Sequence, residues 1–122
     1  MTSDHSWVNG VVTAGEMTME EAQKAPQAHG ITRWLGADAG ENAAADVTRF
    51  PIPTPGLLLL CTDGLWNYVA TPEAIEQVVR EGNECGADAL ALARHLVSFA
   101  IAKGGHDNIT VVVLRSEPPR PD

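Results

Sequence analysis

The sequence is poor in cysteine and has no long apolar run. It contains only two cysteines in 122 residues, Cys61 and Cys85, and their separation matches no metal-binding pattern. Two cysteines do not build a disulfide framework, so we expect a reducing compartment, the cytoplasm. No apolar run approaches the roughly 20 residues that a membrane helix needs. The sequence therefore gives no support for a membrane-spanning protein or a disulfide-stabilised secreted one.

Positive charge is also scarce. Eight basic residues face 16 acidic ones, which gives a formal net charge of −8. This balance argues against nucleic acid or an anionic membrane as the main partner. It also makes a poor surface for a phosphorylated ligand unless a cation is bound. The apolar fraction of 44% is sufficient for a core, and the length suits one domain.

Three segments carry helix signals. Thr18 and Glu21 have capping-box spacing, which predicts a helix after Thr18. Thr71 followed by Pro72 predicts the start of a second helix, and Gly82 is a natural stop for it. A third helix is predicted over residues 87–103, with an apolar face made of Leu90, Ala93, Leu96, Val97, Ala100 and Ile101.

Four segments favour strands, around Ile31, Val47, Leu58 and Val111. The runs Leu57–Cys61 and Ile109–Leu114 are apolar on both faces, which is typical of buried strands. Helices that alternate with such strands indicate helices packed on sheets. The last residues, 116–122, are rich in proline and predict a loose tail.

Two acids stand where the most apolar segments end or begin. Asp63 closes the run "LLLLCTDG", and Asp107 in "GGHDN" precedes "ITVVVL". If the two strands are neighbours, both carboxylates can meet at one end and would repel each other without a cation. Carboxylates with no His/Cys cluster suit Mg²⁺ or Mn²⁺. From the pattern alone, a purely structural role stays ahead of a ligand role, because Asp-Gly and Asp-Asn are also ordinary turn formers.

Four blocks in order resemble the type-2C metal-dependent protein phosphatases, and the bacterial members in particular. "LLLLCTDGLWNYV" and "GGHDNITVVVL" resemble the last two signature motifs of that family. Upstream, "DHSWVNGVVTAGEMTMEEAQ" and "ITRWLG" resemble its Asp-His-Ser block and its Thr-Arg strand. The resemblance extends from Asp4 to Arg115.

The resemblance implies an α+β fold, a β-sandwich flanked by helices in four α-β-β-α layers. It implies two Mn²⁺ or Mg²⁺ ions that hold a water, which attacks the phosphorus of phosphoserine or phosphothreonine in a phosphorylated protein substrate. Carried over residue by residue, Asp63 and Asp107 would be ligands of one ion. Thr62, Gly64 and Asn108 match the motifs as supporting positions that hold the turns.

The sequence departs from the family in lacking its first half, which carries the Asp-Gly-His-Gly-Gly motif and a phosphate-binding arginine. We therefore expect residues 1–115 to be the C-terminal portion of a phosphatase-like domain, followed by the tail 116–122. Such a portion would need a complementing N-terminal half or self-association. Two alternatives remain, an inactive remnant or regulatory module of the same fold, and a structural α/β binding protein.

Overall fold

The computed structural model describes residues 2–40, 44–84 and 88–118. The chain divides into two compact units, Met1–Phe50 and Pro51–Asp122. Within the described residues, no helix combines the length and the apolarity needed to cross a membrane. The predicted tail, 116–122, falls partly beyond these residues, and Ser116 itself is still paired with Gly56 in a strand.

The described part of the first unit contains two short helices, α1 (Trp7–Thr13) and α2 (Met19–Lys24). The predicted capping box at the start of α2 is confirmed. Thr18 accepts a hydrogen bond from the Glu21 backbone, and the Glu21 carboxylate accepts one from the Thr18 backbone N–H. This reciprocal pairing satisfies two of the N–H groups that a helix start leaves free.

The strands predicted in the first unit are wrong. Ile31 makes only an isolated antiparallel bridge to Ser6. The segment around Val47 belongs to no helix or strand, and the Val47 side chain is 74% exposed. A β-branched residue stabilises a strand only where one face is buried. Pro51 and Pro53 follow closely and have no N–H for a sheet ladder.

The second unit is built on one antiparallel pair of strands. Strand β1 (Gly56–Cys61) pairs with β2 (Val111–Ser116) from Gly56↔Ser116 to Cys61↔Val111. Among residues 51–84 and 88–118, three helices accompany this sheet: α3 (Asp63–Trp66), α4 (Pro72–Glu84) and α5 (Ala89–Ala102). The predicted Thr71 cap is confirmed, since its hydroxyl accepts a hydrogen bond from the Ala74 N–H at 3.3 Å.

All three helices contribute to a core on one face of the sheet. Leu65, Leu92 and Leu96 are fully buried there. The strand residues that pack against this core are Leu57, Leu59, Cys61, Val111 and Val113. The opposite face, which we call the open face, carries the cross-strand pairs Leu58↔Leu114 and Leu60↔Val112.

The open face is largely uncovered. Leu60 and Val112 are each 53% exposed and Leu114 is 47% exposed. The helices of the second unit therefore leave this side of the apolar strands largely exposed. An apolar sheet face left in this state is a surface on which another layer can pack.

The apolar stripe predicted for α5 is partly wrong. The buried residues are Leu92, Leu96 and Ala100, whereas Leu90 and Ile101 are 59% and 60% exposed. The helix is apolar around most of its circumference, so the pattern alone did not identify the buried face. The helix is capped by Asp88, whose side chain accepts from the Ala91 N–H at 2.8 Å; the predicted start at residue 87 lies outside the described residues.

Gly82 does not end α4, contrary to prediction. The helix continues to Glu84, and Gly82 is buried against α5. A Cβ at this position would lie 2.6 Å from Leu92 Cδ1 and 2.9 Å from His95 Cδ2. The glycine therefore allows close helix packing rather than termination. His95 is half-buried beside Gly82, and its buried Nε2 has no hydrogen-bond partner among the residues that the structure describes.

We predict that Gly82→Ala lowers the free energy of unfolding of the second unit by about 1 kcal/mol. Overpacking costs roughly 1–3 kcal/mol, which exceeds the gain of about 1 kcal/mol in helix propensity. Gly10→Ala in α1 is the matched control, because a Cβ there meets nothing within 4 Å. Denaturant unfolding followed by circular dichroism measures both variants. Equal or greater stability of the Gly82 variant would contradict this packing role.

Candidate metal centre

The strand register brings the two predicted acids to one end of the sheet. The last residue of β1, Cys61, pairs with the first residue of β2, Val111. Asp63 follows that end of β1 by two residues, and Asp107 precedes that start of β2 by four residues. The turns that carry them, which we call the Asp63 turn (62–64) and the Asp107 turn (105–108), therefore leave the sheet side by side.

The Thr62 hydroxyl fastens these two turns together. It donates a hydrogen bond to the Asn108 carbonyl at 2.9 Å and accepts one from the Thr110 N–H at 3.0 Å. The Thr62 backbone N–H donates to the Thr110 carbonyl at 3.1 Å. Thr62 is the N-cap residue of α3, yet its side chain does not cap that helix. The Thr62 hydroxyl instead bonds to the backbone of Asn108 and Thr110.

Gly64 allows the closest approach between the turns. A Cβ at Gly64 would lie 2.3 Å from the Asn108 carbonyl oxygen and 2.9 Å from its carbon. Both atoms are backbone atoms, so no side-chain rotation can relieve the clash. The glycine after Asp63 is therefore required by contact with the Asp107 turn. The three predicted supporting positions, Thr62, Gly64 and Asn108, meet at this contact.

The end of α5 determines how the chain enters the Asp107 turn. Gly105 N–H donates to the Ala100 carbonyl and Gly104 N–H to the Ile101 carbonyl, at 3.1 and 3.0 Å. This is the bonding pattern of a Schellman C-cap. Both glycines have positive φ, 138° for Gly104 and 57° for Gly105. The reversal after the helix therefore favours glycine at both positions.

Sequence reasoning missed one residue at this end of the sheet, Tyr68. Its hydroxyl accepts a hydrogen bond from the His106 backbone N–H at 3.2 Å. The sequence offers no signal for this contact, since Tyr68 lies in an apolar segment and reads as a core residue. His106 itself is exposed to solvent.

The carboxylates themselves face solvent. Asp63 and Asp107 are both exposed, and one Asp107 oxygen, Oδ1, accepts a hydrogen bond from the Asn108 N–H at 2.7 Å. Mg²⁺ is commonly held by one or two carboxylates with other oxygen ligands completing the shell. Asp63 and Asp107 lie on adjacent turns, and exposed carboxylates are the chemical type of ligand that such a shell uses. Across the described ranges, no group of three or more His, Cys, Asp or Glu side chains is positioned to hold a metal.

A separate polar cleft of about 440 Å³ lies in the first unit. In it Asp46 accepts from Arg33 Nη1 at 2.7 Å and contacts His5 Nε2 at 2.7 Å. The hydrogen bond to His5, and then that to Arg33, hold the pKa of Asp46 below its ordinary value. Asp46 was not singled out from the sequence. Arg33 Nη1 donates to both the Ala44 carbonyl and Asp46.

Comparison with known proteins gives consistent matches. The family model described as "Protein phosphatase 2C" matches residues 45–109. The serine/threonine phosphatase stp of Listeria monocytogenes is 31% identical over 117 residues, which cover 96% of this chain and 44% of that protein. The protein phosphatase PhpP of Streptococcus pneumoniae is 35% identical over 117 residues, covering 93% of this chain and 44% of that protein.

Solved structures give the same result. The S. agalactiae serine/threonine phosphatase aligns with a TM-score of 0.78 and 31% identity over 96% of this chain. The Mycobacterium tuberculosis phosphatase PstP/Ppp aligns with a TM-score of 0.69 and 30% identity over 97% of it. The chain spans 46% of each of these structures, and its fold is a partial version of their α+β fold. The chain belongs to the protein phosphatase 2C family.

Proposed function

We propose that this chain supplies part of the active site of a metal-dependent protein serine/threonine phosphatase. The observation that carries the proposal is the Thr62–Asn108 contact, which holds the Asp63 and Asp107 turns together at one end of the sheet. The names of the relatives, which are serine/threonine phosphatases, support the reaction class. The substrate would be phosphoserine or phosphothreonine in a protein.

Asp63 and Asp107 act in this proposal as ligands of one Mg²⁺ or Mn²⁺ ion. Thr62, Gly64 and Asn108 keep the two turns in register, so that both carboxylates remain on the same rim. A bound divalent ion lowers the pKa of a bound water and neutralises charge on the phosphoryl group. This role of a cation also reconciles a chain with a net charge of −8 with an anionic substrate.

Further ligands would come from outside this chain. The chain spans about 44% of the length of the curated relatives that it matches, and its two carboxylates form an incomplete set. We infer that a complementing half of the domain packs on the open face and completes the site. Self-association through the same face is the alternative way to cover it. The alternative function is an inactive remnant or regulatory module of the same fold.

The first test concerns metal binding. Asp63→Asn and Asp107→Asn should each weaken Mn²⁺ binding at least about tenfold, since each removes one of two anionic ligands. Glu20→Gln, which removes an equal charge from the exposed side of α2, should leave the affinity unchanged. Isothermal titration calorimetry measures all three variants. Equal Mn²⁺ affinity in the three would exclude these acids as ligands.

The second test concerns catalysis. We predict that the chain alone hydrolyses no phosphothreonine peptide in the presence of Mn²⁺, because two carboxylates do not hold the pair of ions that the family uses. Phosphate release from a synthetic peptide is the measurement. Hydrolysis that copurifies with the chain and disappears in Asp63→Asn would show that these residues suffice and that the complementing half is unnecessary.

The third test concerns the open face. Leu60→Glu should reduce both self-association and binding of a hydrophobic dye, because it places a charge at the centre of this apolar surface. Leu90→Glu is the matched control, since Leu90 is 59% exposed on α5 compared with 53% for Leu60. Light scattering and dye fluorescence report the outcome. A wild-type chain that is a monomer and binds no dye would refute the need for a covering layer.

A further inference from the structure

Tyr68 links the core of the second unit to the Asp107 turn. Its ring packs against the buried cluster that includes Leu65 and Leu96. Its hydroxyl accepts the His106 N–H at 3.2 Å, within the range of an N–H···O hydrogen bond. The ring is therefore held by packing at one end, while the hydroxyl reaches a turn 38 residues further along the chain.

The backbone that carries Tyr68 is itself fixed. Tyr68 N–H donates to the Leu65 carbonyl and Val69 N–H to the Trp66 carbonyl, both at 3.0 Å. These bonds extend the turn of α3, whose first residue is Asp63. The hydroxyl thus belongs to the same rigid segment as one of the two candidate ligands.

Asp107 lies between two residues, His106 and Asn108, that are hydrogen-bonded to the segment formed by Thr62, α3 and Tyr68. On its N-terminal side, His106 is bonded to Tyr68, and on its C-terminal side, Asn108 is bonded to Thr62. The two glycines that precede His106 are hydrogen-bonded to the end of α5, and not to the segment that carries Asp63. Without the Tyr68 bond, only the Thr62 side of the turn would remain fastened to the segment that carries Asp63.

We propose that Tyr68 is a positioning residue for Asp107. The Tyr68 hydroxyl holds the His106 backbone and thereby sets the separation of the two candidate ligands, Asp63 and Asp107. The proposal rests on the proposed metal-binding function. This positioning role differs from a general stabilising role. Loss of the Tyr68 hydroxyl alone, with the ring still packed in the core, should weaken metal binding.

The test uses Tyr68→Phe in the full chain, which keeps the ring and removes the hydroxyl. Protection of the His106 amide against hydrogen exchange, measured by NMR without metal, should fall about 2- to 10-fold, as expected for the loss of one hydrogen bond. Mn²⁺ affinity, measured by calorimetry well below the unfolding temperature, should fall by a similar factor. Ile75→Val is the control, because Ile75 packs on the same core from α4 and its truncation lowers stability without touching the turn.

The outcomes separate the two proposals. Mn²⁺ affinity that falls in Asp63→Asn but not in Tyr68→Phe would overturn the positioning role and leave the metal site intact. An equal loss of affinity in Ile75→Val and Tyr68→Phe would also overturn it, since stability alone would then explain the effect. If Asp63→Asn leaves the Mn²⁺ affinity unchanged, the proposed metal site is refuted, and the positioning role of Tyr68 is refuted with it. Loss of both His106 protection and affinity in Tyr68→Phe alone supports the role.

Discussion

The contact between the Asp63 turn and the Asp107 turn at the end of the sheet depends on the hydroxyl group of Thr62. Backbone pairing between β1 and β2 ends at Cys61↔Val111, where the chain must turn into α3. The Thr62 side chain continues the connection as both donor and acceptor. Valine has the same shape but no hydrogen-bonding group, so it would leave the Asn108 carbonyl and the Thr110 N–H without these bonds. The close approach of Gly64 to the Asn108 carbonyl lies beside this connection.

The one-sided sheet is the second constraint, and it concerns stability. Fully burying a leucine or valine side chain contributes about 1.5–3 kcal/mol, and the open face holds four such side chains that are only partly buried. A whole domain is stable by roughly 5–15 kcal/mol. Because these side chains are already about half buried, covering the open face adds roughly half of the full-burial figure or less for each, which is a few kcal/mol and a substantial share of the stability of a domain. Family members that are about twice as long as this chain have additional polypeptide with which to cover such a face.

The sequence was sufficient wherever a local rule determines the structure. The Thr18 capping box, the Thr71–Pro72 helix start and the two apolar strands depend on residues close together in the chain, and all were found. Val47 and Gly82 were misread, because burial by distant residues decides whether a valine forms a strand or a glycine ends a helix. Tyr68 could not have been identified, since only the fold reveals that its hydroxyl faces the His106 backbone.

Metal binding and completion of the domain are linked if the proposed function holds. The rim that carries Asp63 and Asp107 is built from contacts within residues 56–116, so it can form before any other ligand arrives. Two carboxylates alone bind a divalent ion weakly, and the affinity rises only when further ligands are added. A ligand that binds only one state stabilises that state. The ion would therefore favour the assembly that supplies those ligands, and by reciprocity the assembly would favour retention of the ion.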